Sequence, residues 1–290
     1  MKKPLVGALV TLLLTGATVT GVAAPATAAT PAAAPAVAAK GGPKAKAVDF
    51  AGTVALSNCS GSVVRMPDSQ PGDPALVMTN GHCLETGMPD AGEVVVDQPS
   101  SRTFSLLNSR GNSVGTLRAS KIAYATMTDT DVALYELTTT YGQIEQSYGI
   151  DALELSATHP VAGTAISVVS GYWKRIYSCN IDGFVYRLKE GDWTWKDSVR
   201  YTSACDTIGG TSGSPVIDSA SGKVVAVNNT GNEDGGTCTL NNPCEVDESG
   251  NVTVRQGINY AQQTYGITEC VTTGNKIDLS LPGCTLPEPA

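Results

Sequence analysis

Three short stretches of this 290-residue chain carry residues that could do chemistry together. The run GGTSGSP, residues 209–215, sets Ser212 among glycines and small residues. A Gly/Ser loop is the plain reading of such a run. The other is a backbone that bends sharply, exposes a hydroxyl and aims N–H groups outward. Serine is a weak nucleophile near neutral pH, so it needs an adjacent base, and the base needs a group that fixes its tautomer. The chain has 2 histidines, His82 in VMTNGHCLETG and His159 in ATHPVAG. His82 follows an apolar, strand-like run and precedes Cys83, whereas His159 stands beside Pro160 in a turn and reads as a surface residue. Asp131, in TDTDVALYEL, opens an apolar strand, an unusual place for a carboxylate unless solvent or donors hold it. Asp129 is its neighbouring competitor. Histidine, aspartate and serine therefore occur in the order His82, Asp131, Ser212.

The segments that must position these residues are short and β-like. GTVAL, GSVVRM, ALVMTN, EVVVD, VGTLRA, DVALYEL, AISVVSG, FVYRL, SVRYT, SPVID and KVVAV are rich in Val, Ile, Thr and Tyr and are separated by Gly, Pro, Asn, Asp and Ser. Many short strands at close spacing predict an all-β sandwich or barrels. One short late helix is expected at NYAQQTYG, residues 259–266, and the natural seam lies near residues 157–164. Trp193 and Trp195, two apart in EGDWTWKD, read as one face of a hairpin that could offer substrate an aromatic patch.

The N-terminus has MKK, an apolar stretch and an A-x-A pattern at Ala26, Thr27 and Ala28, and reads as a secretory signal peptide over residues 1–28. Residues 29–47, nearly all Ala, Pro, Thr, Gly and Lys, cannot bury enough to order themselves and read as a pro-segment or linker. Five lysines and no acid lie in residues 1–47, so the formal net charge of −8 for the whole chain becomes −13 for the remainder. Phosphate backbones and anionic lipid would repel so acidic a protein, which argues against nucleic acid and membrane partners. The 8 cysteines, Cys59, Cys83, Cys179, Cys205, Cys238, Cys244, Cys270 and Cys284, form an even set in an exported chain and predict disulfides. Zinc is the other reading, but CxxC pairs are missing. Sequence order leaves the connectivity open; pairing of neighbours, 59 with 83, 179 with 205, 238 with 244 and 270 with 284, is the working expectation.

TNGHC, DVAL and GGTSGSPV resemble the histidine, aspartate and serine boxes of the chymotrypsin-like (trypsin-like) serine peptidases. The serine box is most similar to the bacterial secreted branch that includes the glutamyl endopeptidases. NCSGSVV, residues 58–64, is similar to the family's strand before the histidine, with Cys59 placed to bridge Cys83. The resemblance spans roughly residues 50–266. It implies two packed six-stranded antiparallel β-barrels, the first over about residues 48–157 and the second over about 158–266; the tail at 267–290 extends beyond the resemblance and is expected to be tethered by a Cys270–Cys284 bridge. Together with the signal peptide, it points to a secreted, monomeric serine endopeptidase acting on proteins or peptides without cofactor or metal. Ser212 would be the nucleophile, His82 the base and Asp131 its orienting partner, with the Gly210 and Ser212 amides as oxyanion hole. Ser214 is the alternative nucleophile, but Pro215 follows it directly.

Departures from the family bear on activation and specificity. Thr211 stands before Ser212 where trypsin-type zymogens hold an aspartate that pairs with a new N-terminus, so activation by that ion pair is not expected. Asp206 lies where trypsin-like members hold the acid that binds Lys or Arg, and Thr207 follows it. Asn228 and Asn229 stand where glutamyl-specific relatives place a histidine. Asn229 and Thr230 would offer neutral polar atoms to the side chain that enters. A cationic pocket through Asp206 and a neutral polar one are both open at this level. An esterase using the same three residues and an inactive binding module of the same fold are the other readings.

Overall fold

The computed structural model describes residues 47–290. The signal peptide and nearly all of the pro-segment expected from the sequence lie outside the described residues.

Two closed antiparallel rings of six strands make up the fold. The first uses β1 (Thr53–Ala55), β2 (Ser60–Arg65) and β3 (Pro74–Thr79), then, after the side strand β4 (Val94–Pro99), β5 (Thr103–Leu107), β6 (Ser113–Thr126) and β7 (Val132–Thr140). Their order is β1-β5-β6-β7-β3-β2, and pairing of β1 with β2 closes the ring. A helix, α1 (Tyr141–Tyr148), and a short parallel strand, β8 (Leu153–Glu154), follow. The second ring is built from β9 (Ala165–Ser170), β10 (Arg175–Glu190), β11 (Trp193–Tyr201), β12 (Pro215–Asp218), β13 (Val224–Gly231) and, after the hairpin of β14 (Cys244–Val246) and β15 (Val252–Val254), β16 (Asn259–Gln263). Its order is β11-β16-β13-β12-β9-β10, closed by pairing of β10 with β11.

The apolar runs of β2, β3 and β7 are nearly continuous because both faces of these strands are buried. Side chains alternate across a strand. Val63, Ala75, Val77, Ala133 and Tyr135 point into the core of the first ring. Their neighbours Val64, Leu76, Met78, Val132 and Leu134 point the other way, into a second core shared with Val169, Ile217, Val224 and Val227 of the second ring. A third core fills the second ring around Val168, Tyr177, Val199, Tyr201, Val216 and Ala261. The two rings are thus joined by a packed apolar layer, and the site lies along its edge.

One local expectation is corrected. The helix expected over residues 259–266 is strand β16 followed by a 3-10 turn, Tyr265–Cys270. Ala and Gln are good helix formers, but intrinsic propensity is worth only roughly tenths of a kcal/mol per residue, and pairing with β11 and β13 on both sides overrides it. The helix that does form, α1, has Thr140 as N-cap in a reciprocal capping box with Gln143 and ends at Gly149 in the left-handed region, φ 63°. Only 8 residues long, it carries too little periodicity to stand out.

All 8 cysteines pair as sequence neighbours: Cys59–Cys83, Cys179–Cys205, Cys238–Cys244 and Cys270–Cys284. The last bridge closes the tail, which leaves the second ring and crosses onto the first. There Asn275 Nδ2 donates to the Pro74 carbonyl at 2.8 Å, Lys276 pairs with Glu136 at 3.1 Å, and Tyr124 OH donates to the Pro287 carbonyl at 3.0 Å. Replacing Cys270 and Cys284 by serine releases a loop with a sequence separation of 14. Loop-closure entropy puts the loss near 3 kcal/mol. The expected result is a Tm about 6–12 °C lower by calorimetry.

Candidate active site

His82 sits in a 3-10 turn, Gly81–Cys83, just after β3. The Cys59–Cys83 bridge ties this turn to the chain entering β2. Asp131, directly before β7, is fully buried. Its Oδ2 meets His82 Nδ1 at 2.6 Å, and its Oδ1 accepts the His82 backbone N–H at 3.1 Å. Asn80 Nδ2 donates to the Asp131 carbonyl at 2.7 Å, so the pair is held from both ends. Burial lowers the His82 pKa, but the charge and hydrogen bond of Asp131, with a smaller contribution from the charge of Glu190, outweigh it and hold the imidazole above its usual value. Asp129, the competitor, is instead paired with Lys196. His159 also has a carboxylate partner, Asp197 at 3.0 Å, but its ring stacks on Phe184 and Tyr265 at the surface, away from the cleft.

Ser212 and His82 line the same cleft. The Ser212 hydroxyl donates to the Asn229 carbonyl at 3.2 Å. Ser214, the alternative nucleophile, is fully buried and donates to the Thr211 carbonyl at 2.6 Å, so no substrate can reach it. Two glycines shape the loop. Gly210 has φ +86°, and Gly213 has φ +80° with its Cα so close to β2 and β3 that a Cβ would lie 2.2 Å from the Ser60 carbonyl oxygen and Thr79 Oγ1. In this loop the Thr211, Gly213 and Ser214 amides are spent on Ile208, Asn228 and Thr211 carbonyls. The Gly210 and Ser212 amides have no acceptor among the described residues. Such a pair of unspent donors beside a serine suits a developing oxyanion.

Residues 59–227, over half of the chain, match the model of the trypsin-like peptidase domain. The chain belongs to that family. Solved structures similar to this peptidase include the active form of the Rv3671c protease from M. tuberculosis, with 16% sequence identity, 83% of this chain and 84% of that chain covered and a TM-score of 0.46. The MamO protease domain from Magnetospirillum magneticum has 13% identity, 74% and 92% coverage and a TM-score of 0.45. The Nocardiopsis protease NAPase has 14% identity, 74% and 93% coverage and a TM-score of 0.42. No curated protein matches the chain significantly.

One wall of the peptidase's cleft beyond Ser212 presents neutral polar groups. Thr207 Oγ1 donates to Asn259 Oδ1 at 2.9 Å, and Tyr201 OH donates to Asn228 Oδ1 at 3.1 Å. Asn229 and Thr230 join this wall from β13. Asp206 does not: it is exposed and outside the lining, close enough to Tyr177 for its charge to raise the phenol pKa. Of the two pockets left open by the sequence, the exposure of Asp206 outside the lining gives no support to a cationic one through that residue.

Trp193 and Trp195 both line the cleft from the β10–β11 hairpin, their indole N–H groups held by the carbonyls of Pro89 at 2.9 Å and Met127 at 3.0 Å. Sequence reasoning missed Glu190 at the end of β10. It is 4% exposed, one carboxylate oxygen accepts the Asn241 N–H at 2.8 Å, the other has no partner, and burial raises its pKa. An acid beside a Gly-Asp turn gives no signal in sequence, since such acids are normally solvated.

Proposed function

We propose that this trypsin-like peptidase is a secreted serine endopeptidase with His82, Asp131 and Ser212 as its catalytic residues. The observation that carries the reading is the 2.6 Å contact of fully buried Asp131 with His82 Nδ1, which leaves Nε2 free toward the cleft that Ser212 lines. In the proposed cycle the Ser212 hydroxyl turns from the Asn229 carbonyl to His82 and loses its proton to Nε2. Its oxygen then bonds to the substrate carbonyl carbon. The Gly210 and Ser212 amides receive the oxyanion. His82 returns the proton to the leaving amine as the C–N bond breaks, and a water deprotonated by His82 then releases the acyl group.

The four disulfides support an oxidising, extracellular setting. The glutamyl-type likeness stays within the serine box. The cleft is lined by two acids, Glu190 and Glu233, and by no Lys or Arg among the described residues. An acidic substrate side chain finds no cation there beyond His82, so the reading disfavours an acidic residue before the scissile bond.

Labelling with a peptidyl phosphonate tests this. Peptide mapping should find the adduct on Ser212, and it should vanish in His82→Ala. Cleavage of a peptide library at internal bonds after residues other than Asp and Glu should accompany it. Labelling with ester but no peptide hydrolysis would make the chain an esterase, and folded protein that takes no label would overturn the proposal.

A further inference from the structure

The loop that carries Gly210 is held by its carbonyls. Ser60, at the start of β2 in the first ring, donates from Oγ to the Gly210 carbonyl at 3.1 Å and from its backbone N–H to the Ser212 carbonyl at 2.8 Å. The Ser60 hydroxyl is itself fixed by the Tyr172 N–H at 3.1 Å and by Ser170 Oγ at 3.0 Å, and Ser170 Oγ accepts the Trp173 N–H at 3.2 Å. The Gly209 carbonyl is reached by one side chain, Trp173, whose Nε1–H donates to it at 2.7 Å.

A trans peptide is planar, with its C=O and N–H pointing in opposite directions. Fixing the Gly209 oxygen therefore fixes the Gly210 N–H on the other side, and that N–H is one of the two without an acceptor. The Thr211 N–H to Ile208 carbonyl bond at 3.0 Å closes the turn around this peptide, but such a turn accepts either orientation of its central peptide. Both flanking residues are glycine, which tolerates the backbone angles on either side of a peptide flip, and the space around Gly209 is open, with no atom within 4 Å of a Cβ built there. On the Gly210 side, a Cβ would meet Trp173 Nε1 and the Tyr172 ring at 3.0 Å each. Trp173 is itself 50% exposed, so core packing does not account for so large an apolar ring at this turn.

We propose that Trp173 is a positioning residue: its indole N–H holds the Gly209–Gly210 peptide so that the Gly210 amide faces the cleft as an oxyanion donor. It takes part, with Ser60, in bracing the loop that trypsin-type enzymes brace through an aspartate. Here the corresponding Thr211 is turned inward, donating to the Ile208 carbonyl at 2.5 Å and accepting from Asn228 Nδ2 at 3.1 Å. This inference rests on Ser212 being the nucleophile.

Trp173→Phe keeps an aromatic ring in the turn and removes the donor. In the purified mature protein, phosphonate labelling of the parent at Ser212 comes first; its absence would remove the functional reading, independently of Trp173. Given labelling, the variant is expected to lose about tenfold in kcat on a peptide amide, equivalent to about 1.4 kcal/mol and within the range of one hydrogen bond. KM should stay within about twofold. A peptide aldehyde, whose hemiacetal oxygen occupies the oxyanion site, should lose affinity in the same proportion as kcat. The substitution is at a half-exposed site, so Tm should move by no more than about 2 °C. Ser60→Ala should show the same split between kcat and KM. Parent-like kcat and aldehyde affinity in Trp173→Phe would overturn the proposal. So would a raised KM at unchanged kcat, which would make Trp173 a substrate contact instead.

Discussion

His82→Ala is expected to lower kcat on a peptide substrate by about 10⁶-fold, as loss of the base does in serine peptidases of this mechanism. The base takes the serine proton and later protonates the leaving amine, so its removal disables both halves of the cycle. The chain has one other histidine, His159, and it is committed to Asp197, Phe184 and Tyr265 outside the cleft, so no second imidazole stands near Ser212. A residual rate of about 10³–10⁴ over water should survive, because the Gly210 and Ser212 amides and the substrate-binding walls are untouched. Ser212→Ala should fall to the same level, and the double variant no further, since the two residues act as a unit. Additive losses, measured by single-turnover kinetics, would show that Ser212 and His82 do not work together.

Asp131→Asn is expected to cost about 10⁴-fold in kcat with little change in KM. The substituted amide can occupy the same buried space, yet it can turn its N–H₂ toward His82 Nδ1. The imidazole then carries its proton on Nε2, where a base must be free. The pH profile gives a second, independent readout. Reaction needs neutral imidazole, so kcat/KM rises with pH through the His82 pKa. In the parent that limb should lie above the usual histidine value, because the charge and hydrogen bond of Asp131 outweigh the lowering by burial. In Asp131→Asn both contributions are gone and burial remains, so the limb should move to lower pH. An unchanged limb would mean that another group controls the titration.

The residues with chemistry were the most legible part of the sequence. A histidine after an apolar strand, an aspartate opening another and a serine between glycines are local patterns, and each names a backbone environment that the structure reproduces. Strand pairing was harder to read. Residues 259–263 look helical by composition, and their strand character comes from β11 and β13, which lie far away along the chain. The direction of Asp206 was open for the same reason: whether it or Thr207 faces the cleft is decided by how the segment after Cys205 is laid against β13. Glu190 and Trp173 escaped notice altogether. Their partners, Asn241 and Gly209, are brought to them by pairing of strands distant along the chain, β10 with β14 and β9 with β12.

The C-terminal tail ends on a different ring from the one it leaves, and this bears on how long such an enzyme lasts. A peptidase at high concentration is its own most abundant substrate, and a folded barrel presents few cleavable segments. Digestion by sister molecules proceeds through opened forms and follows their population or their rate of appearance. With Asn275, Lys276 and Pro287 fastened across β3, β6 and β7, the tail adds a second tie between rings that already share an apolar layer. An opening of either ring must break this strap as well, so resistance to self-digestion is expected to depend on the last twenty residues and not on the cleft alone.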